Sequence, residues 1–303
     1  MGDLQLKGNR LVVVQGLENG ILGGPFQTEF ELDNGVTLSI KQIAKREIEI
    51  KSNSLMESNE LLSIYQNVEK LLMLLDGRFY LIEKLTISND DAEPVDILNE
   101  YQKTRLSCFG SKDLYQYSWL QITSFQDVLT NELYRKWLSL IDDLNIVYQV
   151  FLYALSDNKM TVDLNFAFLV ELAEPLVELI KERTYYCQSL TPGERGTTLR
   201  MCVDNLIVLY GTDIFAKELE DDYTLFLEKV VKSRVRIMHI KKNQKNYFDG
   251  KECVRYSLKF SLLYRKILLS LLGVSEQQCD ANIQIAAKNI DEWKMTEVNP
   301  WQG

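Results

Sequence analysis

Residues 256–273, YSLKFSLLYRKILLSLLG, decide the fold of the second half of the chain. Their apolar residues recur at three- and four-residue intervals, which is the spacing of one face of an α-helix. Gly273 stands where a helix-terminating glycine is expected. Charged residues interrupt the run, so it falls short of the roughly 18 consecutive apolar residues that a membrane-spanning helix needs. We therefore expect a long helix and no membrane segment.

Similar helical patterns fill most of the chain around this segment. They predict an all-α domain over residues 125–303, with helical runs at 125–155, 164–186, 196–210, 215–238, 252–272 and 281–293.

The first half of the chain has the pattern of strands. Residues 11–14 are a β-branched run, and residues 26–32 alternate apolar with polar side chains. Asp33-Asn34-Gly35 separates that segment from residues 36–40, which predicts a β-hairpin. A helix over 54–75, a strand over 79–87 and a loop over 88–94 follow. The sequence thus predicts an α+β protein: a β-rich sensor or regulatory domain over residues 1–124, followed by the all-α domain.

Composition narrows the class of protein. With 303 residues, 46% hydrophobic and 25% charged, the chain has the composition of a globular protein with room for about two domains. The five cysteines include no C-x-x-C pair and there is one histidine, so we expect no metal site and no cofactor. The first residues lack the apolar stretch of a secretory signal. We expect reduced thiols and a cytoplasmic location.

Charge is distributed unevenly. Residues 229–266 contain twelve basic and two acidic side chains, a net charge of +10, whereas the rest of the chain carries −19. A positive segment on an acidic protein favours polyanion binding. The alternative is a helix hairpin that simply exposes lysine and arginine to solvent.

The only histidine lies in this positive segment, in KSRVRIMHIKKNQKNYF at residues 232–248. Arg234 and His239 form an R-x4-H pattern. Histidine can transfer protons near neutral pH, and the guanidinium of arginine binds phosphate with a fixed set of donors. These are the groups that metal-independent RNA cleavage requires.

Helix geometry limits how this pair can act. Five residues on a continuous α-helix place two side chains about 140° apart, which is poor for one shared phosphate. Either the helix ends or distorts between Arg234 and His239, or a second copy of the chain contributes across a two-fold axis. Arg236 lies on the same helical face as His239 and is a natural second arginine. A histidine that merely binds the helix C-terminal carbonyls is the non-catalytic alternative.

The R-x4-H pattern on a late helix, the basic loop after it and the helix at 256–273 resemble the HEPN superfamily. The segments 163–186, DLNFAFLVELAEPLVELIKERTYY, and 134–155, YRKWLSLIDDLNIVYQVFLYAL, resemble helices of ApeA-type HEPN proteins, which are associated with abortive infection. The resemblance implies a helical bundle that forms homodimers, an endoribonuclease site built from both subunits, and a toxin-like role in phage defence. The β-rich half is similar in type to the N-terminal domain of those proteins.

Individual residues carry over from this resemblance. His239 would be the general acid or base, and Arg234 would bind and polarise the scissile phosphate. Two positions depart from the family pattern: Val235 replaces a usually polar residue, and Lys241 replaces a tyrosine that some members carry. RNA-binding residues are expected around the motif and in the loop after it, namely Arg236, Lys241, Lys242, Lys245 and Tyr247.

Three hypotheses remain from the sequence. The first is an HEPN endoribonuclease that cuts single-stranded RNA or a tRNA loop, controlled by a phage-derived trigger or an antitoxin. The second is an inactive HEPN-like module that binds nucleic acid or a protein partner. The third is an unrelated enzyme, against which the absence of a P-loop, H-E-x-x-H, G-x-S-x-G or dinucleotide fingerprint argues.

Overall fold

The protein is described here from a computed structural model, which describes residues 6–17, 25–32, 35–77, 80–89, 92–104, 122–123, 128–144, 146–155, 161–183, 198–241, 243 and 245–292. The chain divides between Ile141 and Asp142 into two compact units. The domain boundary expected at residue 124 stays a prediction, since residues 105–121 and 124–127 around it lie outside the described ranges.

The first unit is built on a six-stranded antiparallel sheet. Its strands are β1 (Lys7–Gly16), β2 (Phe26–Glu31), β3 (Val36–Gln42), β4 (Lys45–Glu57), β5 (Ile82–Ser88) and β6 (Val95–Asp96). Their order in the sheet is β2-β3-β4-β1-β5-β6. Phe26 pairs with Gln42 and Glu31 with Thr37, which confirms the predicted hairpin. Asp33 and Asn34 of its turn lie outside the described residues.

Strand β4 was not predicted, and it displaces the helix that follows. Helix α1 spans Ser58–Asp76, so the predicted start at residue 54 is wrong by four residues. Glu57 and Glu60 form a capping box at the beginning of α1, which fixes the start of the helix. Gly77 ends it with a φ of 73°, a conformation that glycine adopts without strain. A second helix, α2, spans Leu98–Thr104.

A buried ion pair joins the sheet to α1. Arg46, on β4, is fully buried and donates to the carboxylate of Asp76 over 2.9 Å. The hydroxyl of Tyr80 donates to the same carboxylate, and Gln42 accepts from Arg46. Burial alone lowers the pKa of Arg46, but Asp76 and Tyr80 more than offset that effect and raise it. The pair therefore satisfies a charge inside an otherwise apolar core.

The second unit is helical, in agreement with the sequence, and the α+β fold class is confirmed. The described helices after α2 are α3 (Asn131–Leu144), α4 (Ile146–Leu155), α5 (Val162–Glu171), α6 (Ala173–Arg183), α7 (Leu199–Tyr210), α8 (Ala216–Glu220), α9 (Tyr223–Met238), α10 (Gly250–Leu271) and α11 (Glu276–Glu292). The division between the units falls within α3. Three predicted runs, at 125–155, 164–186 and 215–238, are each split into two helices.

Helix α10 corresponds to the long helix that the sequence predicted at 252–272, and it lies largely in the core of this unit. Thirteen of its residues are buried, among them Phe260, Leu263 and Tyr264. The hydroxyl of Tyr264 donates to the backbone carbonyl of Leu169 over 2.6 Å, which ties α10 to α5. None of the described helices is long and apolar enough to cross a membrane.

A buried lysine connects three helices of the same unit. Lys259 on α10 has no exposed surface, and its ammonium contacts both carboxylate oxygens of Glu218 at 2.8 Å. Asp291 on α11 provides a further carboxylate at 2.8 Å. Because a buried ammonium needs such partners, the three residues hold α8, α10 and α11 together.

Candidate functional site

The predicted catalytic pair lies at the C-terminal end of α9. The helix ends at Met238, and His239 is its capping residue. The backbone N–H of Lys241 donates to the carbonyl of Arg236 over 3.0 Å, and that of Ile240 donates to Ile237 over 3.3 Å. These bonds form a Schellman motif, in which glycine usually occupies the left-handed position. Here the position is taken by Ile240, with a φ of 50°.

This turn brings the two motif residues together. Nη1 of Arg234 lies 3.5 Å from Nε2 of His239. Of the two geometries expected from the sequence, the structure shows the one in which the helix ends before the histidine. A single chain therefore assembles the pair, and His239 remains exposed to solvent. Among the described residues, its side chain makes no hydrogen bond to a helix carbonyl.

A carboxylate that the sequence did not single out holds Arg234 in place. Glu171, the last residue of α5, accepts from Nε of Arg234 at 2.5 Å and from Nη2 at 2.7 Å. These hydrogen bonds and the charge of Glu171 hold the pKa of Arg234 above its usual value. The bidentate contact fixes the guanidinium plane and leaves Nη1 directed at His239.

The second arginine of the motif packs on the loop that follows. The guanidinium of Arg236 lies 4.0 Å from the centre of the Tyr247 ring, within the range of a cation–π contact. Tyr247 is 38% exposed, and Lys241 and Lys245 are also exposed. The predicted binding residue Lys242 lies outside the described residues.

The loop between α9 and α10 is anchored at its C-terminal end. The buried hydroxyl of Ser233 on α9 accepts from the backbone N–H of Phe248 over 2.8 Å. Asp249 and Glu252 then form a capping box that starts α10. Phe248 is itself buried. Its ring packs edge-on against the ring of Phe166, with the two ring centres 5.6 Å apart. The loop therefore returns to the helical core directly after Tyr247.

Acidic side chains or burial offset much of the positive charge at 229–266. Ion pairs with acidic side chains engage Lys229, Lys232, Arg234, Lys259 and Lys266. Arg265 is buried. Within the described ranges, Lys241, Lys245 and Lys251 are exposed and make no ion pair. The usable positive charge is thus concentrated near the motif and its loop.

Other chemistries find little support in the part of the chain that the structure describes. It contains no group of three or more histidine, cysteine or acidic residues placed to hold a metal ion. Cys202, Cys253 and Cys279 are buried. Cys108 and Cys187 lie outside the described residues.

A comparison with models of protein families assigns this part of the chain to a domain family. Residues 164–278 match the family model of the Apea-like HEPN domain. Residues 164–278 therefore form an ApeA-like HEPN domain. The HEPN segment contains Glu171, Arg234, His239 and the whole loop between α9 and α10. No curated protein and no solved structure matches the chain.

Sequence reasoning missed two residues of the candidate site, Glu171 and Ser233. Glu171 ends α5, whose sequence VDLNFAFLVE is otherwise mostly apolar. A carboxylate at the end of such a helix was a local signal for a buried or paired charge. Its partner is 63 residues away, so the pairing itself had no local signature.

Proposed function

We propose that the HEPN domain is a metal-independent endoribonuclease that acts as a toxin or effector in anti-phage defence. The observation that supports this most directly is the separation of 3.5 Å between Arg234 Nη1 and His239 Nε2 at an exposed helix end. A phosphate placed there would contact the guanidinium and a proton-transfer group together. Lys241, Lys245 and Tyr247 lie in the adjoining loop, where they would bind the flanking RNA.

The reaction would be an internal phosphoryl transfer. One base removes the proton of the 2′-hydroxyl, whose oxygen attacks the adjacent phosphorus. The bond from phosphorus to the 5′-oxygen breaks, and a general acid protonates that leaving oxygen. Arg234 would stabilise the negative charge that develops on the phosphate oxygens. The products are a 2′,3′-cyclic phosphate and a 5′-hydroxyl.

A homodimer would complete this chemistry. The chain has a single histidine, whereas the reaction needs one group to accept a proton and another to donate one. A second copy that faces the first would supply the second histidine. Ile240 supports such a contact: it directly follows His239, it is 82% exposed, and a β-branched residue there costs about 1–2 kcal/mol of backbone strain. An apolar partner surface would cover it.

Glu171 would act as a positioning residue for Arg234. It touches neither the expected phosphate position nor His239, but it fixes the orientation of the guanidinium through two donors. The same ion pair is the observation that favours the alternative function, an inactive module that binds nucleic acid. Glu171 occupies two of the five N–H donors of Arg234, which leaves fewer donors for a phosphate and would weaken catalysis.

The decisive experiment is incubation of the purified chain with total cellular RNA in EDTA, in parallel with His239→Ala. Cleavage by wild type alone, with cyclic or 3′-phosphate ends, would support the nuclease. The exposed position of His239 means that the variant should keep its fold, which circular dichroism checks. RNA binding without cleavage, equal in both proteins, would support the binding module instead.

A further inference from the structure

We propose that a cavity beside the N-terminal half of α9 binds a guanine base of the RNA, a few nucleotides from the bond that is cut. This inference rests on the proposed nuclease function and extends it to substrate choice. The cavity has a volume of about 230 Å³ and lies between α8, α9, α10 and α11. It is smaller than the roughly 300–1,000 Å³ of sites for drug-sized ligands, which suits a single base.

The inner wall of the cavity is aromatic. Phe226, Phe248 and Tyr256 all line it, with the Tyr256 ring 5.1 Å from Phe226 and 4.4 Å from Phe248. The two phenylalanines are buried, whereas Tyr256 keeps part of its surface exposed. A flat aromatic ligand would therefore contact Tyr256 and cover the edges of the other two rings.

Most charged groups around the cavity already have partners. The Glu252 carboxylate accepts from Lys229 and from the backbone N–H of Asp249, and Asp222 caps α9. Glu218 and Asp291 bind Lys259. Three lining side chains have no hydrogen bond or ion pair to another described side chain: Lys217, Asp221 and Arg255. Nε of Arg255 is buried without a partner among the described residues, which is costly unless a ligand supplies an acceptor.

An unpaired arginine and an unpaired carboxylate favour a ligand with acceptors on one edge and donors on another. Guanine has this pattern, because its O6 and N7 accept from arginine while its ring and exocyclic N–H groups donate. The other carboxylates of the lining would repel a phosphate. Lys217, on the rim, would face the RNA backbone outside the cavity.

The cavity and the motif lie on different faces of the same helix. Lys229 lines the cavity and Arg234 lies five residues further along. At a rise of about 1.5 Å per residue, the two positions are about 7.5 Å apart along the axis, and their side chains point about 140° apart around it. A base in the cavity would therefore belong to a nucleotide a few positions from the scissile phosphate, with the RNA backbone passing around α9.

The first test measures binding without cleavage. Saturation-transfer NMR with guanosine, adenosine, cytidine and uridine should show transfer to guanosine about tenfold above the others, the discrimination expected of one bidentate arginine contact. Arg255→Gln should remove this preference. Asp221→Asn, at an exposed position that the fold does not need, should weaken it, and Arg10→Gln on the sheet should leave it unchanged. Equal transfer to all four nucleosides would overturn the inference.

The second test maps cleavage positions in total RNA. Wild type should cut at a fixed distance from a guanine, and Arg255→Gln should lose that preference. His239→Ala should still bind guanosine although it cuts nothing. Guanosine binding without any cleavage would contradict the nuclease proposal but support a guanine site. Cleavage at positions unrelated to guanine would contradict the guanine site but support the nuclease.

Discussion

Glu171 and Arg234 are 63 residues apart in the sequence, yet the carboxylate of one accepts two parallel hydrogen bonds from the guanidinium of the other. This contact connects the end of α5 to the last turns of α9 and directs Nη1 of Arg234 at His239. The candidate site is therefore a three-residue arrangement, of which the R-x4-H pattern is only two parts.

The first prediction concerns this arrangement. Glu171→Gln keeps the size of the side chain but removes its charge and one acceptor, so Arg234 should lose its fixed orientation. We expect cleavage to slow about tenfold to a hundredfold, the effect of losing about 1.5–3 kcal/mol from a charged hydrogen bond. Glu174→Gln, a neighbouring carboxylate without that bond, is the matched control. An unchanged kcat with a raised KM would show that Glu171 affects only RNA binding.

A second prediction concerns the strained residue at the end of α9. Ile240→Gly should raise the free energy of unfolding of the monomer by about 1 kcal/mol, because glycine adopts a positive φ without steric cost. Urea unfolding at low protein concentration measures this. The same change should weaken the proposed homodimer, which sedimentation at increasing concentration detects. Stability that falls on substitution would show that the Ile240 side chain makes a stabilising contact within one chain.

The third prediction concerns the salt dependence of RNA binding. Lys241 and Lys245 are exposed and have no ion pair within the described ranges, so each should contact one phosphate. A plot of the logarithm of the RNA-binding constant against the logarithm of the salt concentration has a slope that counts phosphate contacts. Lys241→Gln and Lys245→Gln should each reduce that slope by about one. Lys288→Gln, on an exposed face of α11, serves as the control with an unchanged slope. Identical slopes in all four proteins would place the RNA elsewhere.

The fourth prediction tests the buried lysine. Lys259→Met leaves Glu218 and Asp291 without their cation, and breaking a buried pair in this way costs about 3–5 kcal/mol. Urea unfolding of the variant should show this loss in the helical unit. Lys288→Met removes an exposed lysine that pairs with Glu292 at 3.8 Å, and it should cost less than about 1 kcal/mol. Equal losses in the two variants would contradict the central position of Lys259.

Stability should also depend on pH through Cys202. Burial raises the pKa of this thiol to about 11, compared with about 9 in the unfolded chain. The folded state therefore holds its proton more tightly, and the stabilisation is complete below about pH 9 and is lost as the pH rises through 11. Cys202→Ala should flatten the curve over that interval, and a curve of unchanged steepness would assign the loss to other groups.

The parts of the fold that local patterns specify were predictable. The Asp33-Asn34-Gly35 turn between two alternating segments predicted a hairpin, and apolar spacing predicted the helices. Strand β4 was missed because a charged residue, Arg46, points into the core at a position where local patterns expect an apolar side chain. The partner that makes this burial possible, Asp76, lies 30 residues further along. Pairings over such distances leave no local trace.

The candidate site shows the same limit. The residue types of Arg234 and His239 indicated the chemistry, but their approach depends on where α9 ends. No glycine or proline marks that end, and the chain instead adopts a left-handed conformation at an isoleucine, which sequence rules disfavour. The role of Glu171 could not be predicted for the same reason as that of Asp76. The sequence does not show which arginine a single carboxylate binds.

The ion pair between Lys259 and Asp291 sets the minimum length of an independently folding helical unit. The family match ends at residue 278, but Asp291 lies thirteen residues beyond it and binds a lysine in the centre of α10. A shortened chain that follows the family boundary would remove α11 almost completely and expose a buried charge. Expression of this unit alone therefore has to extend at least to Glu292, whatever the family boundary suggests.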